Sequence, residues 1–162
     1  MTDALLRLAH LVAVVYWIGG IFFVQFALRP ALGLLEPGPR LSFMAQVLRR
    51  YFAGVALSII AVLLSGFGMV AQLSGALTTG HPDWGRLFAL HWHVYAMLAL
   101  GLTMMAIYSH TSAGPMRRLT QAVAAVDWPA AASALAEVRR LALVNLLLGL
   151  STMAVALLGR VP

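Results

Sequence analysis

Four stretches of the chain are apolar for about the 20 positions a helix needs to cross ~30 Å of hydrocarbon: residues 5–28, 51–73, 86–109 and 140–158. Turn-forming residues separate them. Arg29-Pro30 through Pro39 holds three prolines and two glycines, residues 74–85 read SGALTTGHPDWG, and Asp127-Trp128-Pro129 punctuates the third connection. The pattern predicts an all-α fold: an integral membrane four-helix up-down-up-down bundle, with residues 1–162 forming one four-span domain. The second helix is expected to begin before the bilayer, near Pro39 to Ser42. The third should overrun it to about Ala125, and the fourth should restart at Pro129, a proline suited to a first helical turn. The first run is longer than the roughly 7–15 residues of a signal-peptide core and has only Arg7 as a positive flank, so it reads as a retained helix.

Composition agrees with lipid as the main solvent. The chain is 62% hydrophobic and 10% charged, against about 25% charged in an ordinary soluble domain, which excludes a soluble enzyme. The net charge of +6 comes from eleven arginines and no lysine. Such a balance points to nucleic acid or to a membrane surface. Because the arginines sit between the hydrophobic runs, the partner is the lipid bilayer and not nucleic acid. Arg29, Arg40, Arg49 and Arg50 lie in the first connection, and Arg117, Arg118, Arg139 and Arg140 in the third, leaving Arg7, Arg86 and Arg160 for the other side. Arginine-rich connections stay cytoplasmic. The expected topology therefore places both termini and the 74–85 loop on the periplasmic face of a bacterial inner membrane. Cysteine is absent, which leaves His, Met, Asp and Glu as the only candidates for metal chemistry.

Ionisable groups inside spans are functional-site candidates. His10 in the first span and His91 in the third lie at similar depth, with His93 about half a turn deeper than His91 and His81 in the loop above them. Four of the five histidines thus collect at the outer leaflet, while His110 lies at the opposite end of the third span, with Gln25 the nearest polar candidate in depth. His91 and His93 are about 200° apart on a helix and cannot both face the bundle centre. The small or polar residues Tyr95, Ala99, Thr103, Ala106, Ser109 and His110 fall within roughly 0–120° of His91, a sector suited to helix packing. On that ground His91 is expected to point inward. His93 then belongs to a second stripe with Met97, Leu100 and Met104, open to lipid, to a partner or to a soft metal.

The first and third spans are diagonal in an up-down-up-down bundle, roughly 11–14 Å apart. Two imidazoles ligating one iron require a backbone separation of about 12 Å, so His10 and His91 could clasp haem b, with Arg7 and Arg86 just above them as propionate partners. Gly19 and Gly20 would allow close approach of a flat group or of a neighbouring helix. This reading makes the protein a haem b membrane protein in electron transfer or redox chemistry near the outer face, with a periplasmic or membrane redox partner. Copper is the alternative cofactor. His10, His91, His93 and His81 would form an outer metal site with Met97 and Met104 below, a set whose imidazoles and thioethers suit Cu(I), serving copper uptake or binding with a copper-handling partner. A third reading is an accessory membrane subunit without cofactor. In it the methionines fill core gaps, Arg7 and Arg86 reach up to headgroups, Trp84, Trp92, Tyr51 and Trp128 are interface anchors, and Asn145 makes an interhelical hydrogen bond.

The segments HLVAVVYWIGGIFFVQFALRPAL, LRRYFAGVALSIIAVLLSGFGMV, GRLFALHWHVY and RRLALVNLLLGLSTMAVALLGR together resemble the copper-resistance protein D (CopD) family over nearly the whole chain. They are similar, more distantly, to the HemJ-type protoporphyrinogen oxidases, four-to-five-span proteins that carry haem b through a helix-1 histidine. The resemblance implies a role in copper uptake or haem-linked redox chemistry, with His10 matching the helix-1 histidine of both groups. At the start of the third span a lysine is common among these relatives, whereas this chain offers His91 and His93. That departure weakens the oxidase activity and strengthens a second metal ligand.

Overall fold

A computed structural model describes residues 2–75, 80, 81, 83, 85 and 92–159. Helix α1, Thr2–Phe23, runs into a π turn at Val24–Leu28 and then through Arg29–Ala31 to a 3-10 turn at Leu32–Leu34. It is followed by α2 (Pro37–Leu73), α3 (Trp92–Ala113), α4 (Pro115–Ala124) and α5 (Trp128–Leu158), and no strand occurs among the described residues. Four of these helical lengths are long and apolar enough to cross a membrane. The most extensive packing pairs α1 with α2, α3 with α5 and α4 with α5, with α1 and α2 also touching α5. The all-α four-helix bundle follows from the sequence pattern as expected.

Two cores divide the molecule. At the arginine-rich end Leu41, Met44, Leu48, Leu119, Ala131 and Val138 bury one another. At 37 residues α2 is about 55 Å long, some 25 Å more than the hydrocarbon requires. Its first turns, α4 and the start of α5 therefore form a head beyond the membrane. Helix α4 is two-faced: Pro115, Met116 and Leu119 are buried while Arg117, Arg118, Thr120 and Gln121 are exposed. An apolar stripe opposite a charged one is the arrangement that water selects. Arg118 there donates to Glu137 at 2.6 Å. Along the spans the outward residues are instead apolar, with Leu57 at 69%, Leu64 at 68% and Phe67 at 67% exposure, the signature of a lipid-facing wall.

The second core, around Trp17, Ile18, Val55, Met104 and Leu146, lies within the spans. Close helix approach depends on three glycines. A Cβ on Gly20 would strike the Tyr51 ring, one on Gly54 the Tyr16 ring, and one on Gly149 the Ile18 side chain. Tyrosines and glycines thus interlock reciprocally across α1 and α2, giving the dispersion contact on which helix association in lipid depends. Of the two glycines expected to admit a flat group, Gly20 admits Tyr51 and Gly19 has nothing within 4 Å.

Three boundaries refine the expectations. The third span does not overrun unbroken: it breaks at Gly114, ahead of Pro115, because the residue before a proline is driven from helical geometry and proline cannot donate to the ladder. Helix α2 begins at Pro37, slightly before the expected start. Helix α5 begins one residue before Pro129, with the Asp127 side chain accepting from Ala130 N at 3.0 Å as N-cap.

Candidate functional site

His10 projects toward α2, where its Nδ1 lies 3.0 Å from Ser65 Oγ. The Ser65 hydroxyl donates its one proton to the Ala61 carbonyl at 2.5 Å, so toward His10 its oxygen accepts and Nδ1–H donates. In that tautomer Nε2 is the lone-pair nitrogen, the pattern by which a second group orients a metal-binding histidine. Sequence reasoning missed Ser65. The available signal was a hydroxyl in α2 at the depth of His10.

His91 and Arg86 lie outside the described residues, so the His10–His91 clasp and the Arg86 propionate contact are not among the geometry seen. Arg7 is exposed one turn before His10, and His81 is exposed in the loop. His93 is half-buried and stands edge-on to Trp92 at 6.2 Å. Its ring lies against Gly159, at the end of α5, where a Cβ would collide with it.

The rotation of α3 is the main correction. Tyr95, Ala99, Thr103, Ala106, Ser109 and His110, the sector read as inward, are all exposed. The stripe His93, Met97, Leu100 and Met104 is half-buried to buried instead, and Met104 at 5% exposure belongs to the membrane core. Thr103 donates to Ala99 O at 2.9 Å, so its hydroxyl needs no partner on another helix. The Met104 methyl is close to Gly149, and its sulfur is 4.0 Å from Thr152 Oγ1. Met105 and Met153 pack on the same core. A histidine and two thioethers thus lie along the bundle-facing side of α3 at spacings of one or two turns.

Below Met104 an aromatic layer closes the bundle. Trp17 and Tyr108 meet edge to face at 6.4 Å and Phe52 stacks on Tyr108 at 5.4 Å. Tyr51 donates to Trp17 O at 2.5 Å and Tyr108 to Phe52 O at 2.9 Å. Beyond the layer, toward the arginine-rich end, is a cavity of about 40 Å³ whose polar lining includes Gln25, Thr111, Arg139 and Asn145. Gln25 donates to Arg139 O at 3.2 Å, whereas His110, expected near it, faces outward. Asn145, expected to make an interhelical bond, is buried with Oδ1 making no hydrogen bond among the described residues. Pockets for drug-sized ligands hold roughly 300 Å³ or more, so this cavity takes small species only. Among the described residues no three His, Asp or Glu side chains converge as a metal site.

A family model for copper resistance protein D matches residues 45–158, more than two thirds of the chain. The chain belongs to the copper resistance protein D family. The match takes in His81, His91, His93 and the methionines of α3, while α1 with His10 lies outside it. No curated protein and no solved structure matches the chain. As a family member with four apolar spanning helices, it is a multi-pass membrane protein of the copper-resistance class.

Proposed function

We propose that this copper resistance protein D family member binds Cu(I) at the histidine end of the bundle and passes it inward along α3, as a membrane copper-uptake or copper-binding protein. The observation that carries this reading is the bundle-facing stripe of His93, Met97 and Met104, with Met104 buried against Gly149 and Thr152. Thioether sulfur and imidazole nitrogen suit Cu(I), and thioethers retain it without a buried carboxylate. His10, with Nδ1–H directed to Ser65, offers Nε2 from α1 at the same end. His81 and His91 are the remaining candidates there. The arginine-rich end faces the cytoplasm by the charge rule for short loops, so the histidine end meets the periplasm of a bacterial inner membrane. A soluble or membrane copper donor is the implied partner.

The test is Cu(I) binding to protein purified under reducing conditions, by competition with a chromophoric Cu(I) chelator, together with metal analysis and an absorption spectrum. Wild type should bind Cu(I), and Met97→Leu with Met104→Leu should weaken binding at little cost in stability, since Leu for Met conserves volume. No Cu(I) binding, or binding indifferent to both thioethers, overturns the reading. A Soret band with stoichiometric iron would replace it with the haem b protein, whose candidate ligands are His10 and His91 with Arg7 and Arg86 beside them.

A further inference from the structure

The cavity on the arginine-rich side of the aromatic layer is not used by the copper reading. Its wall is largely apolar, and its few polar side chains come from three separate helical lengths: Gln25 from the π turn that ends α1, Thr111 from α3, and Arg139 and Asn145 from α5. Gln25 is 8% and Asn145 4% exposed, deep burial for amides in a spanning bundle. π turns recur at functional sites because their extra residue redirects a side chain. Here the π turn carries Gln25, whose amide reaches the Arg139 carbonyl on α5.

Two buried polar atoms of the lining residues, Arg139 Nε and Asn145 Oδ1, make no hydrogen bond among the described residues. One can only donate and the other can only accept. A metal cation could bind the amide oxygen but not the guanidinium, and a halide could accept from the guanidinium but not donate to the amide oxygen. Water does both. Arg139 and Asn145 are six residues apart on α5, about 9 Å along its axis, so no single molecule bridges them. A cavity of about 40 Å³ has room for a short chain of waters, at roughly 10–15 Å³ each on this measure. The lining contains no carboxylate and no histidine. Arg139 is part-exposed as a residue although its Nε is buried, so its side chain runs from the surface to the cavity wall.

We infer that this cavity is a hydrated intramembrane vestibule, entered from the arginine-rich end past Arg139 and closed by the Trp17–Tyr51–Tyr108 layer. Water there satisfies Asn145 where lipid would leave it bare. The vestibule brings solvent to within one or two helical turns of Met104, so the dry part of the bundle is confined to the aromatic layer and the thioether stripe. The inference is independent of the copper reading, because its test uses no metal.

The chain has no cysteine, so single cysteines can be introduced without background. Ala142→Cys and Asn145→Cys probe the vestibule, Leu147→Cys probes the lipid-facing side of α5 at 65% exposure, and Ala124→Cys marks the arginine-rich end. Sealed vesicles are treated from either side with a membrane-impermeant sulfonated methanethiosulfonate, which reacts with the thiolate and so needs water at the thiol. Ala142→Cys and Asn145→Cys should react from the side on which Ala124→Cys reacts, and on the order of tenfold faster than Leu147→Cys. Reaction only from the other side, or no faster than at Leu147→Cys, overturns the vestibule. If Asn145→Cys does not fold, Ala142→Cys alone decides. Adding Asn145→Leu to Ala142→Cys should slow its labelling, because leucine fills the space and offers water no polar atom where asparagine, or a small thiol, still does, and an unchanged rate would equally refute hydration at Asn145.

Discussion

Leu119 in α4 and Leu146 in α5 are nearly equal in burial, at 0% and 4% exposure, yet they sit in the two different cores. Their truncation tests where water ends and lipid begins. Leu119→Ala removes three carbons from a core whose unfolded alternative is water, a transfer loss of about 2.4 kcal/mol at ~0.8 per carbon. The void left in a fully enclosed site brings the total to about 3–4 kcal/mol. Leu146→Ala removes the same atoms from a site whose unfolded alternative is lipid, which is as apolar as leucine, so only packing is lost, about 1–2 kcal/mol. At roughly 2–4 °C per kcal/mol for a chain of this size, Leu119→Ala should melt about 4–8 °C below Leu146→Ala. Thermal unfolding in lipid nanodiscs, followed by tryptophan fluorescence, measures this, because Trp128 packs on the head core and Trp17 in the membrane core. Equal losses, or a larger loss at Leu146, would refute the division of the molecule into a water-facing head and a lipid-facing bundle.

Three further outcomes are expected. Ser65→Ala should lower Cu(I) affinity about 10–100-fold, as loss of an orienting partner does, and should cost about 1–3 kcal/mol of stability because the His10 N–H loses its acceptor on α2; an unaltered affinity would remove His10 from the site. Val126 has φ of 58°, a left-handed conformation that a β-branched residue adopts at a cost of about 1–2 kcal/mol, so Val126→Gly should raise thermal stability, and a drop would show that the Val126 side chain contributes more than its backbone costs. Reporter fusions after Gly80 should read outside and fusions after Ala125 inside, and the reverse would invert the copper entry side along with the topology.

The spans were legible because a run of apolar residues has no other stable solution, and the head was partly legible because its arginines fall in two alternating connections that the fold brings to one end. The rotation of α3 was not legible. Trp92–Ala113 is apolar nearly all round, so no face declares itself, and the reading fell back on the rule that small and hydroxyl-bearing residues pack inward. That rule fails where a hydroxyl is satisfied by its own helix, as Thr103 is by the Ala99 carbonyl at 2.9 Å. Glycine supplied the missing constraint from another helix: Gly149 and Gly159 on α5 leave room only where Met104 and His93 lie against them, and a single chain read in order does not reveal which residues such gaps receive. The cavity escaped for a related reason, since its few polar side chains, Gln25, Thr111, Arg139 and Asn145, come from three separate helical lengths that are far apart in the chain. The consequence for the site is specific. With α3 turned as it is, His93 is the histidine of the inward stripe, so His93→Ala, which the opposite rotation would make silent, should cost Cu(I) affinity together with Met97→Leu and Met104→Leu.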